Sequence, residues 1–282
     1  MKKYFIRLQW FFNYVRNLYM FFSDKEIEEL RKNASLDLNR LEYKIYSQHG
    51  EDGILYEIFK RIGTKSKTFF EFGAGNGTEN NSIHLLMQGW RGWWIDGNSS
   101  FIDTYKKLYA TSISSGELIV DSKIITSKNI NTIVENFKMP KEIDLLSIDV
   151  DGNDYYIWKA LDKISPRVVL IEYNSTYPAH VKFLQKESDK GWNGSNFFGA
   201  SLTVISELAK EKGYTLVACE LIGSNAFFVR NDLLGDHFQF AGNVEKLYQK
   251  PKYYLNYYAG HQPTHNYGHE PALGDWVSMN KD

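Results

Sequence analysis

The 282-residue sequence has one cysteine, Cys219. A single thiol excludes an internal disulfide framework and a cysteine-built zinc site, so a reducing compartment is the expected setting. No run approaches the roughly 20 uncharged apolar residues needed to cross a bilayer. The formal net charge is −1, which gives the chain no general attraction to nucleic acid. Internal repeats and low-complexity linkers are lacking as well. Aromatic residues, by contrast, are plentiful: 19 Tyr and 18 Phe would serve a cleft for sugars or bases, or equally an aromatic-rich core. With 43% hydrophobic and 24% charged residues, the composition is that of an ordinary globular protein of one large domain or two small ones.

The N-terminus stands apart. Met1, Tyr4, Phe5, Leu8, Phe11, Phe12, Val15, Leu18, Tyr19 and Phe22 fall on one helical stripe, with Lys2, Lys3, Arg7, Asn13, Arg16 and Asn17 elsewhere and no acidic residue before Asp24. Arg7 and Arg16 interrupt any signal-peptide core and no small-residue cleavage site follows, so no cleaved export signal is expected. Two readings follow: a helix lying on an anionic membrane surface, or one docked on its own body or on a second subunit. The expected location is the cytoplasm, with peripheral contact to the inner face of the membrane and homo-oligomerisation both open.

Residues 1–44 read as amphipathic and charged N-terminal helices, the second opening on a Ser23–Glu26 capping box. A helix is expected over Ser47–Arg61. Strands and helices then alternate: strand Thr68–Phe72, helix Ser82–Gln88, strand Gly92–Asp96, strand Glu117–Ile125, helix Ile130–Phe137, strand Ile143–Val150, helix Tyr155–Leu161, strand Arg167–Tyr173 and helix Ala200–Lys212. Tyr214–Leu221 and Asn225–Arg230 form a hairpin through Ile222-Gly223-Ser224. Such alternation predicts a parallel α/β sheet with helices on both faces over residues 45–232, the hairpin adding one antiparallel strand. Residues 233–282 form an extension rich in aromatics and histidine, where Pro263 and Gly268 argue against a helix that would align His261, His265 and His269.

The chemistry-bearing segment is Phe69-Phe70-Glu71-Phe72-Gly73-Ala74-Gly75-Asn76-Gly77, a glycine-rich turn directly after the first strand. Glycine lets the chain turn sharply and a ligand approach the backbone without meeting a Cβ. Asp96, 23 residues beyond Gly73, ends the next strand, near the separation at which a carboxylate grips ribose hydroxyls. A dinucleotide loop would need its third glycine where Thr78 stands, and no Gly-Lys-Ser/Thr completes a Walker loop. The hairpin ending also departs from a nicotinamide-binding domain. The Glu71 carboxylate suits a ligand carrying an ammonium group.

The run Glu71-Phe-Gly-Ala-Gly-Asn-Gly77, followed by Trp93-Trp94-Ile95-Asp96-Gly97, resembles the first two motifs of class I methyltransferases. More narrowly, the chain is similar to the FkbM-like family through Ser47-Gln48-His49-Gly50-Glu51-Asp52, Ser147-Ile148-Asp149-Val150-Asp151-Gly152-Asn153-Asp154 and Phe198-Gly199-Ala200-Ser201-Leu202, over roughly residues 45 to 232. The resemblance implies a Rossmann-like seven-stranded sheet, mostly parallel, with S-adenosylmethionine over the carboxyl ends of its strands. It implies a cofactor-binding set of Gln48, Asp52, Glu71, Gly73, Ala74, Gly75, Asn76, Asp96, Gly97, Asp121 and Asp149, with Glu51 as an alternative to its neighbours. It also suggests a sugar hydroxyl as acceptor, on a nucleotide-activated sugar or a surface glycan such as capsule or lipopolysaccharide. Lipid or secondary-metabolite acceptors, and a membrane-associated module without catalysis, are the alternatives. Nucleic acid is not expected, since no basic strip accompanies the aromatics beyond the N-terminus.

Methyl transfer to a hydroxyl needs in-line placement and removal of the hydroxyl proton. The reactive crevice of an open α/β sheet lies beyond the carboxyl ends of the central strands, which nominates Asp149 and Glu172, with His180 after the fifth strand, as catalytic groups. Asp149, Asp151 and Glu172 supply hard oxygen ligands of the kind Mg²⁺ or Mn²⁺ prefers. Asp151, Asn174, Trp192 and Phe198 are the candidate acceptor contacts. Turn and helix-cap duty is the competing reading of Asp151 and Asp154.

Overall fold

The computed structural model describes residues 22–188, 197–252 and 255. Its centre is one seven-stranded sheet in the order β3-β2-β1-β4-β5-β7-β6. The strands are β1 (Thr68–Phe72), β2 (Arg91–Asp96), β3 (Leu118–Ser122), β4 (Leu145–Ile148), β5 (Val168–Glu172), β6 (Tyr214–Cys219) and β7 (Asn225–Arg230). Pairing is parallel from β3 to β5, and β7 runs antiparallel to both β5 and β6. The expected architecture is therefore present, with one reversed strand.

Period-two alternation builds the core on both faces of the sheet. Phe70 and Phe72 of β1, Leu146 and Ile148 of β4, and Val169 and Ile171 of β5 pack with Ile130, Ile133, Ile157, Trp158, Leu202 and Ile205 from the helices Ile130–Asn136, Asp154–Ala160 and Leu202–Glu211. Phe69, Trp94, Leu145 and Leu170 face the other way, onto Ile54, Leu55 and Ile58 of helix Glu51–Ile62, Leu86 of helix Ile83–Met87 and Tyr105 of helix Phe101–Leu108. Because β1, β4 and β5 are covered on both sides, they are apolar nearly throughout. Each fully buried Phe or Ile there contributes about 1.5–3 kcal/mol of burial.

Several boundaries differ from expectation. The first described helix is already regular at 22, so Ser23 lies inside it rather than at its cap, and it stops at 32. A separate turn, Asp37–Arg40, follows. The helix expected from Ser47 begins at Glu51, because the Asp52 carboxylate holds the backbone of residues 45–47 in a non-helical loop. Residues 98–114, which carry no clear periodic signal, form the helices Phe101–Leu108 and Ala110–Ser114. β6 ends at Cys219, where Glu220 turns the chain by accepting from the N–H groups of Ile222 and Asn225 at 2.5 and 3.2 Å.

The flanking segments pack on this body. Asn39 donates to the Cys219 carbonyl at 2.8 Å, and Glu42 accepts from the Leu221 N–H at 3.0 Å. On the C-terminal side Leu247 is buried, and the Tyr248 hydroxyl donates to the Ser175 carbonyl at 2.6 Å. Among the described residues no helix is long and apolar enough to cross a membrane. The N-terminal stripe through Tyr19 and the histidines at 261, 265 and 269 lie outside the described residues.

Candidate functional site

The glycine bend sits where β1 ends between β2 and β4. The Gly73 N–H donates to the Ile95 carbonyl at 3.0 Å. Gly73 adopts φ +72°, and a Cβ there would lie 1.4 Å from the Asp149 carbonyl oxygen, so the tip of β4 demands glycine at this position. At Gly75 (φ +56°) a Cβ would meet nothing within 4 Å, which leaves that backbone open to a ligand. The Gly75 N–H donates to Asp96 Oδ2 at 2.8 Å, while Asp96 Oδ1 accepts from the Asn98 N–H at 2.7 Å. The carboxylate at the end of β2 and the bend after β1 thus form one unit.

Two residues that sequence reading missed clamp this unit from outside. The Tyr105 hydroxyl donates to the Gly75 carbonyl, and the Tyr109 hydroxyl donates to the Gly77 carbonyl at 2.6 Å. Their four-residue spacing places both on one helical face, which is the signal that could have found them. Burial raises both phenols, Tyr109 to about 12, so they remain hydrogen-bond donors throughout the physiological range.

Beside the bend lies a cavity of about 190 Å³, lined by Gln48, Glu71, residues 73–76, Glu79, Asn80, Asn81, Asp149 and Asn225. Drug-sized pockets run from about 300 Å³, so this volume suits one end of an elongated ligand rather than all of it. Of the predicted cofactor set, Gln48, Glu71, Gly73, Ala74, Gly75, Asn76 and Asp149 meet here. Glu71 is already engaged: its carboxylate accepts from the N–H groups of Asn81 and Ser82 at 2.8 and 3.1 Å and from the Ser82 hydroxyl, which in turn receives Trp94 Nε1 at 2.7 Å. It pins the start of the following helix, a duty the sequence reading did not foresee. Burial raises its carboxyl, opposed by these donors. Asn76 Oδ1 accepts from the Thr78 N–H and hydroxyl at 3.0 and 2.6 Å, closing the bend on itself.

Four members of the set lie outside the cavity lining, one of them Asp96, which is bonded to the Gly75 N–H. Asp52 Oδ2 accepts from the N–H groups of Ile45, Tyr46 and Ser47 at 2.7–2.9 Å; it shapes the loop that carries Gln48 and does not itself line the cavity. Gly97 is exposed next to Asp96. Asp121 pairs in register with Ile95 and forms an ion pair with Lys123 at 2.7 Å.

At the tips of β4 and β5, Asp149, Asp154 and Glu172 bring one carboxylate oxygen each to within 4.8 Å of the others. The sequence nominated Asp151 as the third member. Instead the turn after β4 throws Asp151 outward at φ +55°, and Asp154 takes its place. Asp154 also has turn duty, accepting from the N–H groups of Val150 and Gly152 at 2.9 and 3.0 Å. Burial pushes all three carboxyls up, reinforced at Asp149 and Glu172 by neighbouring carboxylates: those two rise well above the usual range, and Asp154, opposed by its backbone donors, rises to about 6. Such groups near neutrality can take a proton from a hydroxyl or share a cation.

The acceptor contacts fare differently. Asn174 is fully buried; its Nδ2 donates to the Phe198 carbonyl at 2.9 Å and its Oδ1 accepts from the Thr176 N–H at 3.1 Å. It ties two loops together, and Phe198 is buried at 5% exposure. His180 sits exposed in the turn after β5, and Trp192 lies outside the described residues.

A model of the methyltransferase FkbM domain matches residues 26–214. A search of curated proteins finds no match. Among solved structures, the chain is similar to a putative caffeoyl-CoA O-methyltransferase from Staphylococcus aureus at 16% identity and TM-score 0.45, over 72% of this chain and 91% of that one. The methyltransferase domain of bacterial CtHen1-C aligns at 13% identity and TM-score 0.43, over 65% and 97%. An S-adenosylmethionine-dependent methyltransferase from Aquifex aeolicus aligns at 13% identity and TM-score 0.37, over 72% and 95%.

Proposed function

The chain belongs to the FkbM methyltransferase family, and from that premise we propose that it moves the methyl group of S-adenosylmethionine to a hydroxyl of a sugar, on a nucleotide-activated sugar or a glycan. The observation that carries the reading is the unit formed by the glycine bend, Asp96 and the cavity. The residues fit such a cofactor: Asp96 can accept ribose hydroxyls, the open face of Gly75 admits close approach, and the acceptor-rich cavity suits an ammonium-bearing amino-acid end. When bound, the cofactor supplies an electrophilic methyl group.

The chain supplies the rest. Tyr105 and Tyr109 hold the bend rigid, so positioning is prepaid. Asp149, at the cavity and beside Glu172, is the candidate for receiving the hydroxyl proton; its raised affinity for protons favours that transfer near neutral pH. A second reading of the same cluster is a site where Asp149, Asp154 and Glu172 would hold Mg²⁺ or Mn²⁺, which would supply a lowered hydroxyl pKa. The sugar as acceptor rests on the family resemblance together with the acidic crevice. Action in the cytoplasm belongs to the same proposal, with the N-terminal stripe left to either of its two readings, docking on a protein body or contact with the inner face of the membrane.

The test is a panel of activated sugars incubated with labelled S-adenosylmethionine and read by mass shift, with and without EDTA. Methyl incorporation into a carbohydrate is expected. Incorporation only into lipid or secondary-metabolite acceptors overturns the sugar assignment, and full activity in EDTA removes the metal.

A further inference from the structure

We propose that Asn225, the first residue of β7, positions the cofactor by accepting a hydrogen bond from its α-ammonium group on Oδ1; this deepens the S-adenosylmethionine reading and rests on it. Asn225 lines the cavity beside the glycine bend and is 4% exposed. Its backbone is fully occupied by the turn: the N–H donates to Glu220 Oε1 at 3.2 Å, and the carbonyl accepts from the Glu220 N–H at 3.1 Å. Its side-chain nitrogen is occupied too, donating to Glu51 Oε1 at 2.8 Å. Glu51 also accepts from the His49 N–H on its other oxygen, Oε2, at 2.8 Å, and as a carboxylate it draws the nitrogen end of the amide toward itself.

What remains is Oδ1, a buried acceptor with no hydrogen bond in the protein. An orphaned buried acceptor is costly, and native folds keep few without a purpose. The lining of the cavity decides what would satisfy it. Glu71, Glu79 and Asp149 contribute carboxylates, and no lysine, arginine or histidine is among the lining residues. The complementary ligand group is therefore a cationic N–H donor, and the cavity volume suits an amino-acid end. Pairing in register with Glu172 places Asn225 at the same sheet edge as the carboxylate cluster. The antiparallel strand thus serves recognition as well as topology.

The experiment compares S-adenosylhomocysteine with 5′-methylthioadenosine, which keeps the nucleoside and thioether but lacks the amino-acid end, by calorimetric titration of the full chain. Wild type should prefer S-adenosylhomocysteine. Asn225→Ala should lose about tenfold or more of that affinity and leave the methylthioadenosine affinity within about twofold. Asn225→Asp, of the same shape and with an acceptor retained, should keep the preference. Unchanged S-adenosylhomocysteine binding in Asn225→Ala, or equal losses for both ligands, overturns the proposal. Where Asn225→Ala does not fold, wild type and Asn225→Asp are titrated with the desamino analogue of S-adenosylhomocysteine. Both should bind it about tenfold more weakly than the parent, and equal affinity refutes the ammonium contact. Failure of wild type to bind either nucleoside is a distinct result, which sinks the cofactor reading itself.

Discussion

Adding one methyl group at two neighbouring glycines of the bend should have sharply different consequences. At Gly73, alanine would place its Cβ 1.4 Å from the Asp149 carbonyl oxygen, where an ordinary contact needs more than 3 Å. That neighbour is backbone at the tip of a buried central strand, so relief requires β1 and β4 to part or the bend to unwind. The left-handed φ of +72° adds roughly 1–2 kcal/mol for a residue with a Cβ, and overpacking in a well-filled site adds about 1–3 kcal/mol more. Gly73→Ala should therefore lose about 2–5 kcal/mol, lowering Tm by about 4–20 °C for a chain of this class. At Gly75 the φ of +56° carries the same left-handed cost, but the Cβ enters open space, so a loss of roughly 1–2 kcal/mol, or about 2–8 °C, is expected. Thermal unfolding of the two variants and wild type, followed by far-UV circular dichroism in one buffer, decides it. Should Gly73→Ala melt at or above Gly75→Ala, the close approach of β4 to the bend is not what this position requires.

Removing the clamps is a milder perturbation. Tyr105→Phe and Tyr109→Phe each delete one hydrogen bond to the bend, and each should cost about 0.5–1.5 kcal/mol, with a larger proportional loss of S-adenosylhomocysteine affinity by titration. Asp96→Ala removes the acceptor of the Gly75 N–H and should weaken S-adenosylhomocysteine and adenosine alike, in contrast to changes at the amino-acid end; selective loss of one refutes a ribose contact. A pH effect is expected from Glu42, Glu51 and Glu220, buried together, with burial first and neighbouring carboxylates second raising Glu42 and moving Glu220 to about 8. Because the folded chain binds these protons more tightly than the unfolded one, their contribution to stability is complete below about pH 4.5 and is lost as pH rises toward 8. Glu42→Gln keeps an oxygen for the Leu221 N–H and removes one charge, so it should raise Tm at pH 8 and leave it nearly unchanged at pH 5. Equal shifts at both pH values count against the cluster.

The parts of the fold legible in the sequence are those with a local cause. Apolar runs at Leu145–Ile148 and Val168–Glu172 mark strands covered on both faces, and the turn at 222–224 marks the reversed strand. The glycine bend and Asp96 were legible because turn geometry and strand-tip position are properties of short segments. The segment 98–114 was not, since its helices are short and alternate exposed lysines and serines with few buried anchors, Tyr105 foremost. Asn174 and Asp52 hold backbone duties that the sequence did not show, for a different reason. A polar residue at a strand tip or in a motif can serve a ligand or the backbone, and only the partners decide. Here the partners are the Phe198 carbonyl and the N–H groups of residues 45–47.

The carboxylates show why the chemistry was harder to place than the fold. Sequence located acidic residues at the ends of β4 and β5, but the turn after β4 decides which of Asp151 and Asp154 returns to the sheet, and it returns Asp154. Asp149 and Glu172 then resist ionising, first because they are buried and second because carboxylates stand near, Asp154 beside Asp149 and Asp149 beside Glu172. A cluster in that condition can be relieved by protons or by a divalent cation, and the two cases give opposite signs. Without a cation, Asp149→Asn removes repulsion and should stabilise the chain at pH 8. With Mg²⁺ or Mn²⁺ bound, the same substitution removes a ligand and should destabilise it. Melting wild type and Asp149→Asn at pH 8, each with EDTA and with excess Mg²⁺ or Mn²⁺, therefore separates base from metal without an acceptor in hand. If neither cation raises the wild-type Tm and Asp149→Asn stabilises in all three conditions, the cluster holds protons, and the metal-assisted route is excluded.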